Sequence, residues 1–331
     1  MGTDGGGAGC QRDWKRVTMS GPLLVDVDTG IDDALALALL VQRNANLVAV
    51  TTVAGNTPID GATENTLRVL ALLGRSDIPV HRGASRPLAI PNRVAADVHG
   101  DNGLGNIELP VSEQGEAPKP AIQAMLDLAD THDGELTILT LGPLTNLAIA
   151  LSLRPKLVEQ VKRVVVMGGA YRVPGNTKPY AEFNVLVDPH AANQVFNAGW
   201  KELLALGLDV THQTVLSRKV WQQIPASGPT AAVMAKRIVT RTFEERGLSG
   251  FYLHDPLAAL ATLEPDLVGT ERGTVDVTLN DIEPGRTTFT PDGSGKMRIA
   301  TRVDAERAEQ SICDALGIDW EPVAAARTDA E

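Results

Sequence analysis

The sequence predicts an α/β fold, an open and mostly parallel Rossmann-like sheet flanked by helices, and three observations lead there. Short apolar runs alternate with amphipathic stretches from Leu23 onward, the pattern of consecutive βα units. The runs are apolar at successive positions, as strands covered on both faces must be. A dense acidic cluster follows the first run, at the carboxyl end of a strand, where open α/β sheets bind their ligands.

In chain order, LLVDV from Leu23 predicts the first strand and DDALALALLVQ the first helix, followed by the strand LVAVTTV and the helix GATENTLRVLALLG. Further buried strands are predicted at ELTILTL (135–141), RVVVMGG (163–169) and ELLALGLDVT (202–211). From 211 to 263 the pattern is helical, and 267–303 reads as late strands around a Pro/Gly-rich turn at 283–295. No internal repeat is found. Residues 21–320 are expected to form one domain. The stretch 1–20, with glycines at positions 2, 5, 6, 7 and 9, reads as a disordered extension, and 321–331 as a frayed tail.

Composition narrows the partners. Lys and Arg number 30 against 41 Asp and Glu, a net charge of −11 with no basic run, which argues against a nucleic acid polymer as partner. Two cysteines, Cys10 and Cys313, support neither a disulfide framework nor a thiolate metal site. The start of the chain has no apolar signal segment and no later run has membrane-spanning length, so the expectation is a cytoplasmic protein with no membrane partner.

The most informative stretch is VDVDTGIDDA, with Asp26, Asp28, Asp32 and Asp33 inside eight residues. A helix cap and its dipole account for one or two acidic residues. Four repel one another at close range, so protons or a cation must neutralise them. Oxygen-only donors without neighbouring Cys or paired His favour Ca²⁺ or Mg²⁺ over zinc. Asp26 alone can be a brace for its neighbours. A strand followed by DxDxT also opens phosphohydrolases of the haloacid-dehalogenase type, which would be Mg²⁺-dependent with Asp26 as nucleophile. Here, however, Gly30 stands where that Thr belongs, and the pair Asp32-Asp33 has no place in the pattern.

The run DVDTGIDDALAL resembles the amino-terminal signature of the inosine-uridine-preferring nucleoside hydrolase family. Five further stretches fall in that family's order: VAGN (53–56), HGDNGLG (99–105), LGPLTNLA (141–148), MGG followed by PGNTKPYAEFN (167–184), and HDP (254–256). The resemblance implies hydrolysis of ribonucleosides to ribose and free base, with Ca²⁺ held by Asp28, Asp33, Asp255 and the carbonyl of Leu141. It implies ribose contacts from Asp32, Asn56, Asn176, Glu182 and Asn184, with Met167 packed beside them and Phe183 lining the base pocket. Asp28 would take the proton of the attacking water, His254 would protonate the departing base, and His99, on a mobile Gly-rich segment, would contact the base. The base-facing lids would be 74–105 and 218–252. The HDP histidine, and the absence of a Trp beside Asp28, imply a broad or pyrimidine-leaning base preference. A homodimer or homotetramer is implied as well. A non-catalytic nucleoside- or ribose-binding protein would share the pocket, although the retained Asp28 and His254 speak against lost catalysis.

Overall fold

Every residue of Leu23–Val27, here β1, is buried, which marks it as a central strand covered on both faces. The structure, a computed structural model, describes residues 21–320; the expected extension 1–20 and tail 321–331 lie outside the described residues. The remaining strands are β2 (Leu47–Thr52), β3 (Val80–Arg82), β4 (Leu136–Thr140), β5 (Val161–Met167), β6 (Leu203–Leu206), β7 (Val215–Ser217), β8 (Gly250–Tyr252), β9 (Val268–Val277), β10 (Thr287–Pro291) and β11 (Met297–Val303).

Among the described residues the main sheet has nine strands in the order β10-β9-β11-β6-β5-β4-β1-β2-β3. The pairs from β3 through β6 and on to β11 are parallel, and β9 and β10 are added antiparallel. Between β1 and β4 the strand order reverses direction, which opens a crevice at their carboxyl ends. Helix α1 (Ile31–Gln42) is buried from Ile31 to Val41. Apolar nearly all round, it lies as a central helix rather than a surface one, packed against the helix His254–Leu263. That packing brings a late motif to the acidic cluster. Helix α2 (Ile59–Leu72) covers β2 and β3, and the opposite face is closed by the helices Ala121–Thr131, Thr145–Leu153 and Pro189–Phe196.

The mostly parallel α/β sheet is as predicted, with four local differences. In 202–211 the strand stops at Leu206, and Leu208–Thr211 is a helical turn. There the Asp209 carboxylate accepts from the Tyr171 and Arg172 N–H groups at 2.9 Å each, which draws the chain off the sheet. The segment 211–263 is not wholly helical: β7 and β8 form a separate two-stranded antiparallel sheet. These strands are three residues long, too short to show a period of two. The turn expected at 283–295 contains β10, a strand whose Thr287 is buried and whose Phe289 is half-buried. The short β3 was masked by its length. No described helix is long and apolar enough to cross a membrane.

Candidate active site

The acidic motif divides into a brace and a cluster. Asp26 is buried within β1, and one of its oxygens accepts from Thr51 Oγ1 at 2.6 Å and Asn146 Nδ2 at 2.8 Å. Burial pushes its carboxyl up to about 7. Asn146, from the LTNLA stretch, also donates to the Thr52 carbonyl and accepts from Ala84 N, so one amide ties β1, β2 and the loop after β3 together. Asp26 does not line the cavity described below. Tied into the sheet by Thr51 and Asn146, Asp26 does not favour the phosphohydrolase reading, which needs that carboxylate open to its substrate.

Past the end of β1, Asp28 and Asp33 are buried. Asp33 accepts from the backbone N–H groups of Gly30 (2.8 Å) and Asp28 (3.2 Å), while Asn56 Nδ2 donates to both Asp28 and Asp33 at 3.2 Å. Asn56 N donates to Asp28 Oδ2 at 2.6 Å. The preceding Gly55 permits this approach, since a β-carbon there would fall 2.0 Å from Asp28 Oδ2. Asp255 arrives from the first turn of His254–Leu263. One carboxylate oxygen from each of Asp32, Asp33 and Asp255 lies within 4.8 Å of the others. Burial, then the charges of Asp32, Asp33, Asp28 and Glu182, hold the Asp255 carboxyl well above the usual range. Asp28 is raised likewise by burial and then by Asp33. Buried carboxylates that raise one another are relieved by a divalent cation, and an all-oxygen donor set suits a hard one. The cluster can therefore hold a metal ion. Its closest group contains Asp32, which the resemblance gave to ribose, alongside Asp33 and Asp255.

A cavity of about 150 Å³ opens over this cluster. Asp32, Asn56, His99, Leu141, Met167, Asn176, Glu182, Phe183, Asn184, His254 and Asp255 all line it, whereas Asp28 and Asp33 do not; Asn56 links both to the wall. Glu182 caps the helix Phe183–Val187, accepting from Asn184 N (2.8 Å) and Val185 N (3.1 Å), and also from Gly169 N at 3.0 Å. Burial raises its carboxyl, and these three N–H groups oppose the rise. Asn184 Nδ2 donates to the Leu141 carbonyl at 2.6 Å and to that of Met167 at 3.3 Å, so the Leu141 oxygen has a protein partner as well as its place in the cavity wall. Asn176 is exposed at the rim, accepting from Phe183 N at 3.1 Å.

His99 ends a short helix, Ala96–His99, and is 6% exposed. It is buried in the wall of the cavity, within one of the segments expected as lids. His254 Nδ1 lies 2.7 Å from Thr211 Oγ1. Sequence reasoning missed the lining residues Ala95, Val98, Thr177, Arg246 and Phe251. Both expected lid segments do border the cavity, and Arg241 Nη1 joins them by donating to the Asp97 carbonyl at 2.7 Å. Thr177 sits inside the PGNTKPYAEFN stretch, next to Asn176, whereas Ala95, Val98, Arg246 and Phe251 sit in no motif and fall within the two segments expected as lids.

The sequence profile of the inosine-uridine preferring nucleoside hydrolase matches residues 23–310. The inosine-uridine preferring nucleoside hydrolase of Leishmania major is 34% identical, over 89% of this chain and 96% of its own. Uridine nucleosidase 1 of Arabidopsis thaliana is 37% identical over 80% of each chain. Among solved structures, a plant nucleoside hydrolase superposes with a TM-score of 0.84 at 32% identity, covering 89% of this chain and 98% of that one. The purine-preferring ribonucleoside hydrolase from Gardnerella vaginalis gives 0.83 at 30% identity over the same shares. The class is thus that of hydrolases acting on N-glycosyl bonds. Within it, the chain belongs to the inosine-uridine preferring nucleoside hydrolase family.

Proposed function

We propose that this enzyme cleaves ribonucleosides to ribose and free base with Ca²⁺ in the acidic cluster. The observation that carries the reading is a cavity lined by Asp32, Asp255, Asn56, Glu182 and Asn184, with Asp33 within 4.8 Å of Asp32 and Asp255 and with Asp28 bonded to Asn56. Asp28, Asp33, Asp255 and the Leu141 carbonyl would hold the ion, with Asp32 close enough to share it. A carbonyl oxygen has two lone pairs, so the bond from Asn184 leaves Leu141 able to serve. When bound, the cation supplies Lewis-acid support for oxygen ligands and cancels the repulsion within the cluster.

Cleavage builds positive charge on the sugar and negative charge on the departing base. Asp32, Asn56, Asn176, Glu182 and Asn184 take the sugar hydroxyls, offering both donors and acceptors to groups that are themselves both. The buried carboxylates oppose the sugar's developing charge. Asp28, its Oδ2 fixed by Asn56 N, takes the proton of the attacking water. His254 delivers a proton to the base, beside Phe183 and Phe251. A site whose buried polar groups need hydroxyls rejects sugars lacking them, so 2'-deoxynucleosides are poor substrates. Names among the relatives include uridine, pyrimidine-specific and purine-preferring enzymes, which supports a broad, pyrimidine-leaning base preference here. We place the enzyme in the cytoplasm as a homodimer or homotetramer.

The test is a panel of ribonucleosides, their 2'-deoxy counterparts and a phosphate ester. Ribose release from uridine and inosine, with little from the deoxy series, is the expected result. Phosphate release without ribose release contradicts the reading, and tight binding without turnover would make the protein a binder.

A further inference from the structure

The last hairpin of the sheet reaches back to the segment that carries Glu182. β9 and β10 pair antiparallel from Thr287 opposite Val277 to Pro291 opposite Gly273. The hairpin closes where Gly285 N donates to the Thr278 carbonyl at 2.8 Å and Thr278 N donates to the Arg286 carbonyl at 2.9 Å. Thr287, the first residue of β10, is buried. Its hydroxyl accepts from Ala170 N at 3.0 Å and donates to the Ala170 carbonyl at 2.8 Å. One hydroxyl thus satisfies both backbone groups of a residue 117 positions away in the chain, using its donor and one of its acceptor sites.

Glu182 is held by the N–H groups of Gly169, Asn184 and Val185. Gly169 precedes Ala170, the residue that Thr287 grips. Val185 precedes Leu186, which the hairpin meets through Gly285. That glycine has φ +81°, and a β-carbon on it would lie 2.9 Å from Leu186 Cα. The hairpin therefore supports the chain on both sides of Glu182, in the loop after β5 and in the helix Phe183–Val187. A carboxylate has about four acceptor sites, so three N–H bonds leave about one for the cavity that Glu182 lines. The placement of those N–H groups decides where that remaining site points.

We propose that Thr287 is a positioning residue for Glu182, and that the β9–β10 hairpin sets this carboxylate against the sugar of the bound nucleoside. This rests on the nucleosidase reading. The hydroxyl fixes Ala170, Ala170 fixes Gly169, and the Gly169 N–H orients Glu182 Oε2. Thr287 does not line the cavity, so its replacement removes no group that the nucleoside could touch.

Two measurements on the full chain test it. Amide hydrogen exchange followed by NMR compares wild type with Thr287→Val, which keeps the branched shape of the side chain and loses both bonds. The Ala170 and Gly169 N–H groups should exchange slowly in wild type, and both should lose protection in the variant. Rapid exchange of Ala170 in wild type overturns the proposal, a result that needs no variant to fold. Unchanged exchange of Gly169 in Thr287→Val overturns it as well. In the second measurement, calorimetry with a non-hydrolysable uridine analogue compares Thr287→Val and Thr287→Ser, each alone and combined with Glu182→Ala. Thr287→Val should bind about tenfold more weakly than wild type, the loss of one hydrogen bond to the sugar. Thr287→Ser, which keeps the hydroxyl, should recover most of that loss. In the Glu182→Ala background Thr287→Val should cost nothing further, since a residue that acts through Glu182 then has nothing to position. Equal losses in both backgrounds, or wild-type affinity in Thr287→Val, overturn the proposal. Wild-type protein that binds no nucleoside contradicts the nucleosidase reading instead, and the exchange result then decides the positioning by itself.

Discussion

At the scale of single residues, the site works by giving each acidic group a different set of neighbours. Asp26 is tied by Thr51 and Asn146 inside the sheet, whereas Asp28 is held by Asn56 at the cavity floor. Replacing Asp28 with Ala removes the proposed base, and turnover should fall by about 10²–10⁴-fold, as steady-state ribose release measures. Unchanged circular dichroism would separate this from misfolding. For His254→Ala, the loss should be greater on uridine or inosine than on nitrophenyl riboside, whose leaving group needs no proton. Equal losses on both would remove His254 as the acid. The roles of Asp28, Asp32, Asp33 and Asp255 were suggested by their residue types and motifs. The long-range partners were not, because Asn56 reaches Asp28 across 28 residues of chain, Asn146 reaches Asp26 across 120 and Thr211 reaches His254 across 43.

At the scale of elements, long apolar segments were legible, and short ones or ones ended by a tertiary contact were not. LLVDV and DDALALALLVQ became β1 and α1 because burial on all sides needs only continuous apolar character. β7 and β8 carry three residues each, and the strand in 202–211 ends where Asp209 bonds the neighbouring loop, a tertiary contact with no local signature. The loop between β2 and α2 positions the site through Gly55 and Asn56. Gly55→Ala should weaken Ca²⁺ binding at least about tenfold by calorimetry, since its β-carbon would meet Asp28 Oδ2 at 2.0 Å. Calcium affinity equal to wild type would show that Asp28 is not held as described. Asn146→Ala should lower unfolding stability by about 1–3 kcal/mol, the cost of leaving buried groups unsatisfied, measured by chemical denaturation.

For the whole molecule, the acidic cluster couples stability to protons and to metal. In the folded chain burial raises the Asp26 carboxyl from the ordinary 3.8 to about 7. The native state then binds more protons than the unfolded chain between those values, and stability falls as pH rises through that window. Metal-stripped enzyme should accordingly melt at lower temperature at pH 8 than at pH 5, with a shallower slope in Asp26→Asn. An identical slope in that variant would assign the effect to other groups. Ca²⁺, which binds the folded chain, should raise the melting temperature at pH 8. Cys313 is 2% exposed, with its thiol pushed up chiefly by burial. In a Cys10→Ser background it should resist alkylation until the protein unfolds, as mass spectrometry reads directly.

The central claim is that a divalent ion in a buried knot of carboxylates serves a ribose-cleaving cavity. Ribose release from uridine, followed before calcium is stripped, after stripping and after its return, tests this most directly. Activity should vanish with the ion and recover when it is restored. Undiminished turnover in the fully chelated enzyme would contradict the account.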